Sequence, residues 1–564
     1  MVSQTSISLD NASAQALQQT TLLANLIPAT VSFTTAGHLL LVGPEDRVRL
    51  AAAKLDGMAS RTLLINEAVS RSDDDYLEQV MIAAEATETL PCFNAEQLQI
   101  RGFLGQFQVA ALLPQQSQPI ALATEAIARP HFDLVLDLGS SASIELELLP
   151  AGYFYVGDDQ AKLVDALAQL PELKGQFDKP RYVQINADVC AHHGSGISGC
   201  QRCLSVCPAD AISSTGKKIE IDANLCHGVG SCASACPTGA IQYDQPTAPI
   251  LKDYLQRLLA RYQTLSDVRP VVLFHDATVG AQLLTQLQQL PAGVLPVELE
   301  EIGVAGAEQW LAALAWGARQ VLVLTHSNTP ATLKALVESE HQTLMTLFSA
   351  MGVDSQRLQL LEAEQLTEID AIVAASGELA PLPVAAFPTD LPKRDTFYNA
   401  LDHLNGCHLG SAELIEVAGA PYGEVVVDTA KCTLCMSCAA LCPARALEDG
   451  GDTPALRFTE QRCVQCGLCQ QACPEGAIKL VARFDLDRER RQGCRDLNRE
   501  QPFECITCGK PFATKAVVEK MTTALAGHSA FAGDAIQRLK MCEDCRVKDM
   551  FTDLLDDPEK QLRV

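Results

Sequence analysis

The chain has 564 residues, of which 48% are apolar, and a formal charge of −26 that arises from 69 acidic and 43 basic side chains. This length predicts roughly three to five domains, each with its own core. The acidic balance disfavours nucleic-acid binding by bulk electrostatics. No apolar run reaches the ~20 residues of a membrane-spanning helix.

The start of the chain and its cysteine content bear on the cellular compartment. No lysine or arginine precedes Arg47, so the sequence shows no basic signal region, and a cytoplasmic protein is expected. Because the cytosol is reducing, the 22 cysteines are expected to be metal ligands rather than disulfides.

The first 180 residues carry no phosphate-binding loop. Residues 1–30 are polar and predict an N-terminal arm that packs loosely. Residues 31–180 predict an α/β domain, because short apolar runs alternate with amphipathic segments. Strands are expected at residues 38–42, 62–65, 132–138 and 144–149, and helices at residues 48–55 and 159–170.

Residues 181–248 predict a module that binds two cubane iron–sulfur clusters. Its regular part is Cys200-x2-Cys203-x3-Cys207, and its leading ligand must be Cys190, which precedes a nine-residue loop, AHHGSGISG. Glycine lets such a loop make this detour at low cost. In bacterial two-cluster ferredoxins the fourth cysteine of each run ligates the other cluster. Cys190, Cys200 and Cys203 are therefore expected to share a cluster with Cys236.

The other site of this module lacks one ligand. Val229 lies between Cys226 and Cys232, where the second cysteine of the run is expected. Cys207, Cys226 and Cys232 are left for this site. Three outcomes are open: a 3Fe-4S cluster on three thiolates, a 4Fe-4S cluster with a non-cysteine ligand such as His227, or a site that is empty or labile.

Residues 249–400 contain no cysteine and predict a second α/β domain. Strands expected at residues 270–274, 294–299 and 320–325 alternate with helices at residues 280–290, 307–316 and 331–338, an order typical of a parallel sheet. Ligands of such sheets bind beyond the carboxyl ends of the strands. His275, Glu301 and residues 325–327 are weak candidates for such a site.

Residues 420–485 predict a second ferredoxin module with two complete C-x2-C-x2-C-x3-C-P runs. Three thiolates at this spacing wrap one cubane while the fourth cysteine points to the other. Zinc or disulfides do not account for this spacing. The expected ligand sets are Cys432, Cys435 and Cys438 with Cys473, and Cys463, Cys466 and Cys469 with Cys442.

Residues 495–564 hold two C-x2-C pairs separated by 33 residues, Cys505 with Cys508 and Cys542 with Cys545. This spacing predicts a structural zinc site in a small zinc-ribbon-like module, because four thiolates leave no open position on the metal. A further iron–sulfur cluster or a redox dithiol is the alternative. The single cysteines Cys92, Cys407 and Cys494 are expected to be buried small residues.

Five stretches of the chain carry a resemblance to known proteins: CAHHGSGISGCQRCLSVCPADAI, VGSCASACPTGAI, APYGEVVVDTAKCTLCMSCAALCPARAL, FTEQRCVQCGLCQQACPEGAI and FECITCGKPFATK. From about residue 132 onward the chain resembles the long bacterial 4Fe-4S ferredoxin-type proteins often encoded beside formate dehydrogenases. Residues 268–361 also look like the delta subunit of methyl-viologen-reducing hydrogenase, without the cysteines through which that family binds a cluster. The resemblance implies electron transfer to or from a formate dehydrogenase that contains molybdenum or tungsten, or assistance to its maturation.

The expected fold class is therefore multidomain, α/β plus α+β, with two two-cluster ferredoxin modules, two parallel-sheet domains and a zinc-ribbon-like module. The expected cofactors are three 4Fe-4S clusters, one further 3Fe-4S or 4Fe-4S cluster, and Zn²⁺. The leading hypothesis is a cytoplasmic polyferredoxin that relays single electrons to or from a dehydrogenase. The alternatives are an electron-input subunit of an enzyme complex and an accessory factor for formate dehydrogenase. Neither α/β domain has a G-x-G-x-x-G after a strand, so no catalytic constellation is predicted.

Overall fold

The computed structural model describes residues 7–23, 28–70, 74–194, 196–216, 218–407, 413–451 and 453–556. Residues 1–6 and 24–27 of the expected arm and residues 557–564 of the expected C-terminal module lie outside this range. Within it, no helix is both long enough and apolar enough to cross a membrane.

The N-terminal domain is built on a five-stranded parallel sheet. In spatial order its strands are Cys92–Asn94, Ser60–Glu67, His38–Pro44, Leu134–Asp137 and Tyr153–Tyr155. The central strand is buried on both faces, since Leu39 and Leu41 pack into one core and Leu40 and Val42 into another. A strand covered on both faces reads as a continuous apolar run, which accounts for HLLLV in the sequence.

Short helices and antiparallel strands complete the described part of this domain. The helices are Glu45–Lys54, Asp74–Ala86, Leu122–Ile127 and Gln160–Gln169. The antiparallel strands are Gln97–Arg101, Gln108–Leu112 and Ile120–Ala121 in one sheet, and Thr30–Thr35 with Gly175–Pro180 in another.

The strand expected at residues 144–149 is absent, and that prediction is wrong. Asp137, at the end of its strand, accepts hydrogen bonds from the backbone of Gly139 (3.0 Å) and Ser143 (2.8 Å), which turns the chain away from the sheet. The backbone N–H of Leu148 then donates to the carbonyl of Pro208 at 3.1 Å. This segment therefore contacts the first cysteine module, and the sheet is completed by the later strand Tyr153–Tyr155.

The middle domain contains the expected parallel sheet. In spatial order its strands are Val294–Leu299, Val271–Asp276, Gln320–Thr325 and Leu358–Glu362. The last of these was not predicted. Its helices are Ala248–Gln263, Val279–Gln286, Ala307–Ala315, Ala331–Met351, Ile369–Ala375 and Lys393–Gly406. The helix expected at residues 331–338 extends to Met351 and ends at Gly352, which adopts the left-handed conformation (φ 74°) that terminates many helices.

The N-terminal arm docks on the middle domain through the helix Asn11–Gln19, which packs against Ala248–Gln263. Asp10 caps this helix and also accepts a hydrogen bond from the backbone of Gly293 at 2.8 Å. Arg261 donates to the side chain of Gln19 at 2.6 Å. The expected loose packing is therefore not found for this part of the arm.

The two cysteine modules are made of short antiparallel pairs and short helices. In the first module the pairs are Val183–Ile185 with Ile241–Tyr243, Ile212–Ser214 with Ile219–Ile221, and His193–Gly194 with Ile197–Ser198, and the helix is Ser231–Ala235. In the second module the strands are Leu414–Glu416, Gly423–Val427, Leu447–Asp449, Ala455–Thr459, Ile478–Asp485 and Cys494–Arg499, and the helices are Ser437–Ala440, Leu468–Ala472 and Arg488–Gln492. The C-terminal module contains the hairpin Pro502–Glu504 with Pro511–Thr514 and the helices Lys515–Leu525 and Glu543–Asp556.

Candidate iron–sulfur and metal sites

The second module contains two cavities whose cysteines follow the crossed assignment. One cavity, of about 350 Å³, is lined by the set we call site C: Cys442, Cys463, Cys466 and Cys469. The other, of about 340 Å³, is lined by the set we call site D: Cys432, Cys435, Cys438 and Cys473. In each cavity the fourth cysteine comes from the other run, as the spacing predicts.

The backbone around the second cysteine of each run has a distinctive conformation. Cys435 is flanked by Leu434 (φ 54°) and Met436 (φ 60°), and Cys466 by Gln465 (φ 53°) and Gly467 (φ 84°). Positive φ is uncommon for residues other than glycine. These turns wrap the chain closely around the cavity, which brings the closely spaced thiols of one run to the same cavity.

The sulfur of the fourth cysteine in each run also accepts a hydrogen bond from a backbone N–H. Ala446 donates to Sγ of Cys442 at 3.2 Å, and Ala477 donates to Sγ of Cys473 at 3.3 Å. In the first module, Ala211 donates to Sγ of Cys207 at 3.3 Å. Hydrogen bonds to cluster sulfurs are one determinant of reduction potential, so these contacts would tune a bound cluster.

Burial opposes ionisation of the ligand thiols. It raises the pKa of Cys466 to about 11 and, with the neighbouring thiols, the pKa of Cys438 and of Cys203 to about 12. Only the thiolate ligates metal, so cluster binding must release these protons.

In the first module, the four cysteines that are expected to share a cluster are the set we call site B: Cys190, Cys200, Cys203 and Cys236. The thiols of Cys200, Cys236 and Cys190 add to burial in raising the pKa of Cys203, which reflects their proximity. The long loop before Cys200 is held by His192, whose Nδ1 contacts the carbonyl of Cys200 at 2.8 Å and whose Nε2 contacts Ser214 Oγ at 2.7 Å. The sequence does not predict this role for His192, because no local pattern links it to Ser214, which lies 22 residues later in the chain.

The set we call site A contains Cys207, Cys226 and Cys232, which line one cavity together with His227 and Val229. This cavity measures about 350 Å³, as large as the four-cysteine cavity of site C. Val229 is flanked by two glycines of positive φ, Gly228 (78°) and Gly230 (82°), as Cys466 is flanked by two residues of positive φ. Val229 therefore occupies a ligand position with the ligand-type backbone but supplies an apolar side chain.

Site A is enclosed by two other domains. From the N-terminal domain, Lys179 donates to the carbonyls of Asn224 (2.6 Å) and Cys226 (2.9 Å). From the middle domain, Gly303 lies so close to Val229 and Gly230 that no side chain would fit there. Burial lowers the pKa of His227, and the backbone of Leu149 in the neighbouring domain partly opposes this shift.

The four cysteines of the C-terminal module form a tight group. The sulfurs of Cys505, Cys508, Cys542 and Cys545 all lie within 4.8 Å of one another, and those of Cys508 and Cys542 are 3.7 Å apart. A tetrahedral metal with Zn–S bonds of about 2.3 Å places its sulfurs about 3.8 Å apart. The group fits a single tetrahedral ion, whereas a cubane needs its thiolates farther apart.

The candidate region at the strand ends of the middle domain is a satisfied polar network. Asp276 Oδ2 accepts from His326 Nε2 at 2.8 Å and from the backbone of Gly280 at 2.9 Å. His275 Nδ1 contacts the carbonyl of Asp276 at 2.9 Å. These side chains are buried, and their hydrogen bonds connect the strand ends to the following helix. This network accounts for them as structural residues. Burial raises the pKa of Glu301 to about 7, with the nearby Asp276 adding to the effect.

The single cysteines depart in part from expectation. Cys407 is half-buried, but Cys92 and Cys494 are exposed. Cys92 lies on the edge strand of its sheet, and Cys494 begins the edge strand Cys494–Arg499. The prediction that both are buried is wrong, because an apolar side chain on an edge strand can face solvent.

A cavity of about 720 Å³ lies between the two cysteine modules and the middle domain. Its lining includes Arg202 and Pro237 of the first module, Tyr422 of the second, and Glu340 on the helix Ala331–Met351. Glu340 accepts a hydrogen bond from the backbone of Ala307 at 3.1 Å. Burial raises its pKa to about 7, with Lys393 opposing the shift.

Two family models match the chain, and each coincides with one cysteine module. The LdpA Fe-S cluster-binding domain matches residues 197–246, and the 4Fe-4S dicluster domain matches residues 431–478. The chain therefore contains two iron–sulfur modules. It contains ferredoxin-type 4Fe-4S domains, and its α/β sheets belong to further domains outside the two matches.

Curated relatives are similar over short segments of the chain. NADH-quinone oxidoreductase subunit I 2 of Geobacter metallireducens is 35% identical over 77 residues, which are 12% of this chain and 59% of the relative. Ferredoxin-type protein NapH of Haemophilus influenzae is 35% identical over 80 residues, 12% of this chain and 28% of the relative. Hydrogenase-4 component A of Escherichia coli is 42% identical over 59 residues, 10% of this chain and 26% of the relative. The chain thus spans less than two thirds of each of these relatives, which by their names are parts of redox systems.

Proposed function

We propose that the protein relays single electrons between a dehydrogenase and a second redox protein through four clusters at sites A to D. The observation that carries this proposal is the pair of cavities in the second module, each lined by three cysteines of one run and the fourth of the other. Sites B, C and D would hold 4Fe-4S clusters. The bound clusters supply one-electron reduction and oxidation, and the surrounding residues hold the thiolates, exclude water and donate hydrogen bonds to sulfur.

At site A we propose a 3Fe-4S cluster on Cys207, Cys226 and Cys232. The cavity is as large as that of site C, and the apolar Val229 stands at the corner where a fourth thiolate is missing. We prefer this assignment to a histidine-ligated four-iron cluster because Val229, and not His227, lies at the ligand position between Gly228 and Gly230. At the C-terminal site we propose Zn²⁺, supported by the 3.7 Å separation of two of its sulfurs.

Metal and sulfide analysis of anaerobically purified protein tests the relay. Three four-iron clusters and one three-iron cluster predict about 15 iron atoms per chain, with one zinc. Electron paramagnetic resonance should show a three-iron signal in the oxidised protein and interacting signals after dithionite reduction. Fewer than about eight iron atoms in intact anaerobic protein, half of the number expected from four clusters, would contradict the relay.

For the partner we propose formate dehydrogenase, on the resemblance of the cysteine-rich stretches to ferredoxin-type proteins encoded beside that enzyme. The cysteine usage supports action in the cytoplasm. Catalytic amounts of formate dehydrogenase plus formate should bleach the cluster absorbance of this protein. An NADH-dependent dehydrogenase with its own substrate is the matched control. Bleaching only with the control enzyme would contradict the formate assignment and leave the relay standing.

A second candidate function is an electron-input subunit of a larger complex. The relatives favour it, because their names describe a subunit and a component. The cysteine-free middle domain would then serve as a docking surface. Co-purification of a stoichiometric partner with the tagged protein would support this function, and isolation of an active monomeric carrier would favour the free relay.

A further inference from the structure

We infer that the end of the long loop of the first module, residues 196–199, is a docking element that joins the two modules and sets site B beside site C, so that electrons cross between the modules from one site to the other. This inference rests on the proposed function, because it requires clusters at both sites. It gives a role to the one stretch of the cysteine pattern that the ligand assignment leaves unexplained.

The loop contacts a helix that carries a ligand of site C. Gln471 Nε2 donates to the carbonyl of Ser198 at 3.0 Å. Next to it, a side chain at Gly199 would come within 2.7 Å of the Leu468 side chain. Leu468 and Gln471 belong to the helix Leu468–Ala472, which begins two residues after Cys466 and contains Cys469. The close approach therefore requires the glycine, and it is made by a segment that a regular C-x2-C run would lack.

The cluster ligands on the two sides of this contact directly follow the residues that make it. Gly199 precedes Cys200 of site B, and Leu468 precedes Cys469 of site C. Cys200 directly follows the loop, so the docking of the loop positions this ligand against the second module.

One helix of the middle domain clamps both modules at this junction. Lys393 donates to the backbone carbonyls of Ala233 (2.7 Å) and Ser234 in the first module. The next residue, Arg394, donates to the carbonyls of Cys463 and of Gln461 (2.7 Å) in the second module. Arg394 also stacks on the ring of Tyr422, 5.0 Å from its centre. Adjacent residues thus fix the two modules to one rigid element.

Because the junction joins B to C, the four sites form one series, A–B–C–D. Sites A and B share the first module and sites C and D share the second, so each module contributes one inner and one outer site. Cys435 of site D is exposed, whereas the cysteines of site A are buried or half-buried beneath two domains. Electrons would therefore enter or leave the series at the site D end.

A single charge placed on the docking helix tests the junction. In Gln471→Glu a carboxylate replaces the amide that donates to the Ser198 carbonyl, so the contact becomes repulsive. Gln470→Glu adds the same charge to an exposed neighbouring position of the same helix and is the matched control. Both variants are made in the full chain and reduced anaerobically with dithionite.

Iron content is measured first, and pulsed electron paramagnetic resonance measures the spin coupling between the modules. Freeze-quench after substoichiometric reduction measures the time that electrons need to distribute between the modules. We expect Gln471→Glu to keep the full iron content but to show weaker inter-module coupling and slower redistribution of electrons, since Lys393 and Arg394 still hold both modules. Gln470→Glu should match the wild type. Leu468→Ala, which removes the apolar half of the contact, should act in the same direction as Gln471→Glu.

Two results would overturn the inference, and they differ from each other. If Gln471→Glu and Leu468→Ala both keep wild-type coupling with full iron content, the junction is not where the inference places it, while the relay stands. If the wild-type protein holds full iron but its modules show no coupling, the series A–B–C–D is wrong. Absence of clusters in the wild type would instead overturn the proposed function and the inference with it.

Discussion

The two cysteine modules follow one pattern, and they differ at two points that both face other domains. The second module keeps eight regular cysteines and its two cavities are closed by its own residues. The first module departs at the loop before Cys200, which contacts the second module, and at Val229, which lies against Gly303 of the middle domain. The first module thus differs from the second at the positions that contact other domains, while it retains the backbone conformation of the ligand positions.

The outer sites of the two modules are also covered differently. Site A is enclosed by the N-terminal and middle domains. Site D contacts the small C-terminal module, through a hydrogen bond from Thr514 Oγ1 to the carbonyl of Thr433 at 3.0 Å and an ion pair between Lys520 and Glu475. The exposed Cys435 belongs to this second end. One end of the series is therefore protected and the other is accessible.

Converting the regular module into the irregular one should have the largest effect. In Cys466→Val, site C receives the apolar residue that site A has at the same place, with the same positive-φ backbone around it. We expect the loss of one iron per chain and a second three-iron signal in the oxidised protein. Iron analysis and electron paramagnetic resonance measure this. Retention of a four-iron cluster at site C would show that an apolar corner does not by itself dictate a three-iron cluster.

The reverse substitution, Val229→Cys, should regularise site A. The backbone at Val229 already has the conformation of a ligand position, and the cavity is as large as that of site C. We expect one additional iron per chain and the disappearance of the three-iron signal. His227→Ala is the companion variant and should leave the iron content unchanged. If instead His227→Ala loses iron while Val229→Cys gains none, histidine is the fourth ligand of a four-iron cluster.

Sequence reasoning predicts which cysteines of the second module line the same cavity, because the spacing that brings them together is local. The x2-x2-x3 spacing dictates which thiols face one cavity, and both cavities have the expected linings. The parallel sheet of the middle domain was also predictable, since its strands are continuous apolar runs such as VVLF and VLVL.

Contacts between distant segments could not be predicted in this way. The role of Lys393 and Arg394 depends on carbonyls up to 160 residues away. The wrong strand at residues 144–149 has a related cause. Leu148 packs on the core that includes the first cysteine module. Ile144 and Leu149 pack on the core of their own domain without a neighbouring strand. The docking of the loop before Cys200 likewise depends on Leu468 and Gln471, which no local pattern links to it.

Removal of the C-terminal metal should affect the accessible end of the series alone. In Cys542→Ser the buried Cys542 no longer completes the four-sulfur group. We expect loss of zinc, proteolytic cleavage within residues 505–545 and faster loss of the site D cluster in air. Zinc analysis, limited proteolysis and the rate of bleaching measure these effects. Cys494→Ser, at an exposed cysteine outside the group, is the control and should behave as wild type.

If the site D cluster decays equally fast in Cys542→Ser and in Cys494→Ser, the C-terminal module does not protect it. If zinc is retained in Cys542→Ser, the remaining three thiols suffice for binding. Sites A to C should be unaffected in either variant, because no described contact of the C-terminal module reaches them.

The smallest effect is expected for the unfolding temperature when Glu340, in the cavity between the modules, is replaced. Its folded-state pKa is about 7, above the value of 4.5 for a free glutamate, because burial disfavours the charged form. Between these two values the folded chain binds a proton that the unfolded chain has lost, so stability falls as pH rises through this window. Glu340→Gln cannot ionise, and its amide oxygen can still accept from Ala307. We therefore expect it to unfold roughly 1–3 °C higher than wild type at about pH 8, with a smaller difference at about pH 5.

Tryptophan fluorescence is a suitable probe of this effect. The two tryptophans of the chain, Trp310 and Trp316, are both buried in the middle domain, at the helix whose N-terminus Glu340 caps. Glu338→Gln, at an exposed position of the same helix as Glu340, removes one carboxylate without touching the cavity. Its unfolding temperature should follow the wild-type pH dependence. Parallel curves for Glu340→Gln and Glu338→Gln would mean that Glu340 is ionised in the folded protein and that the cavity between the modules is open to water.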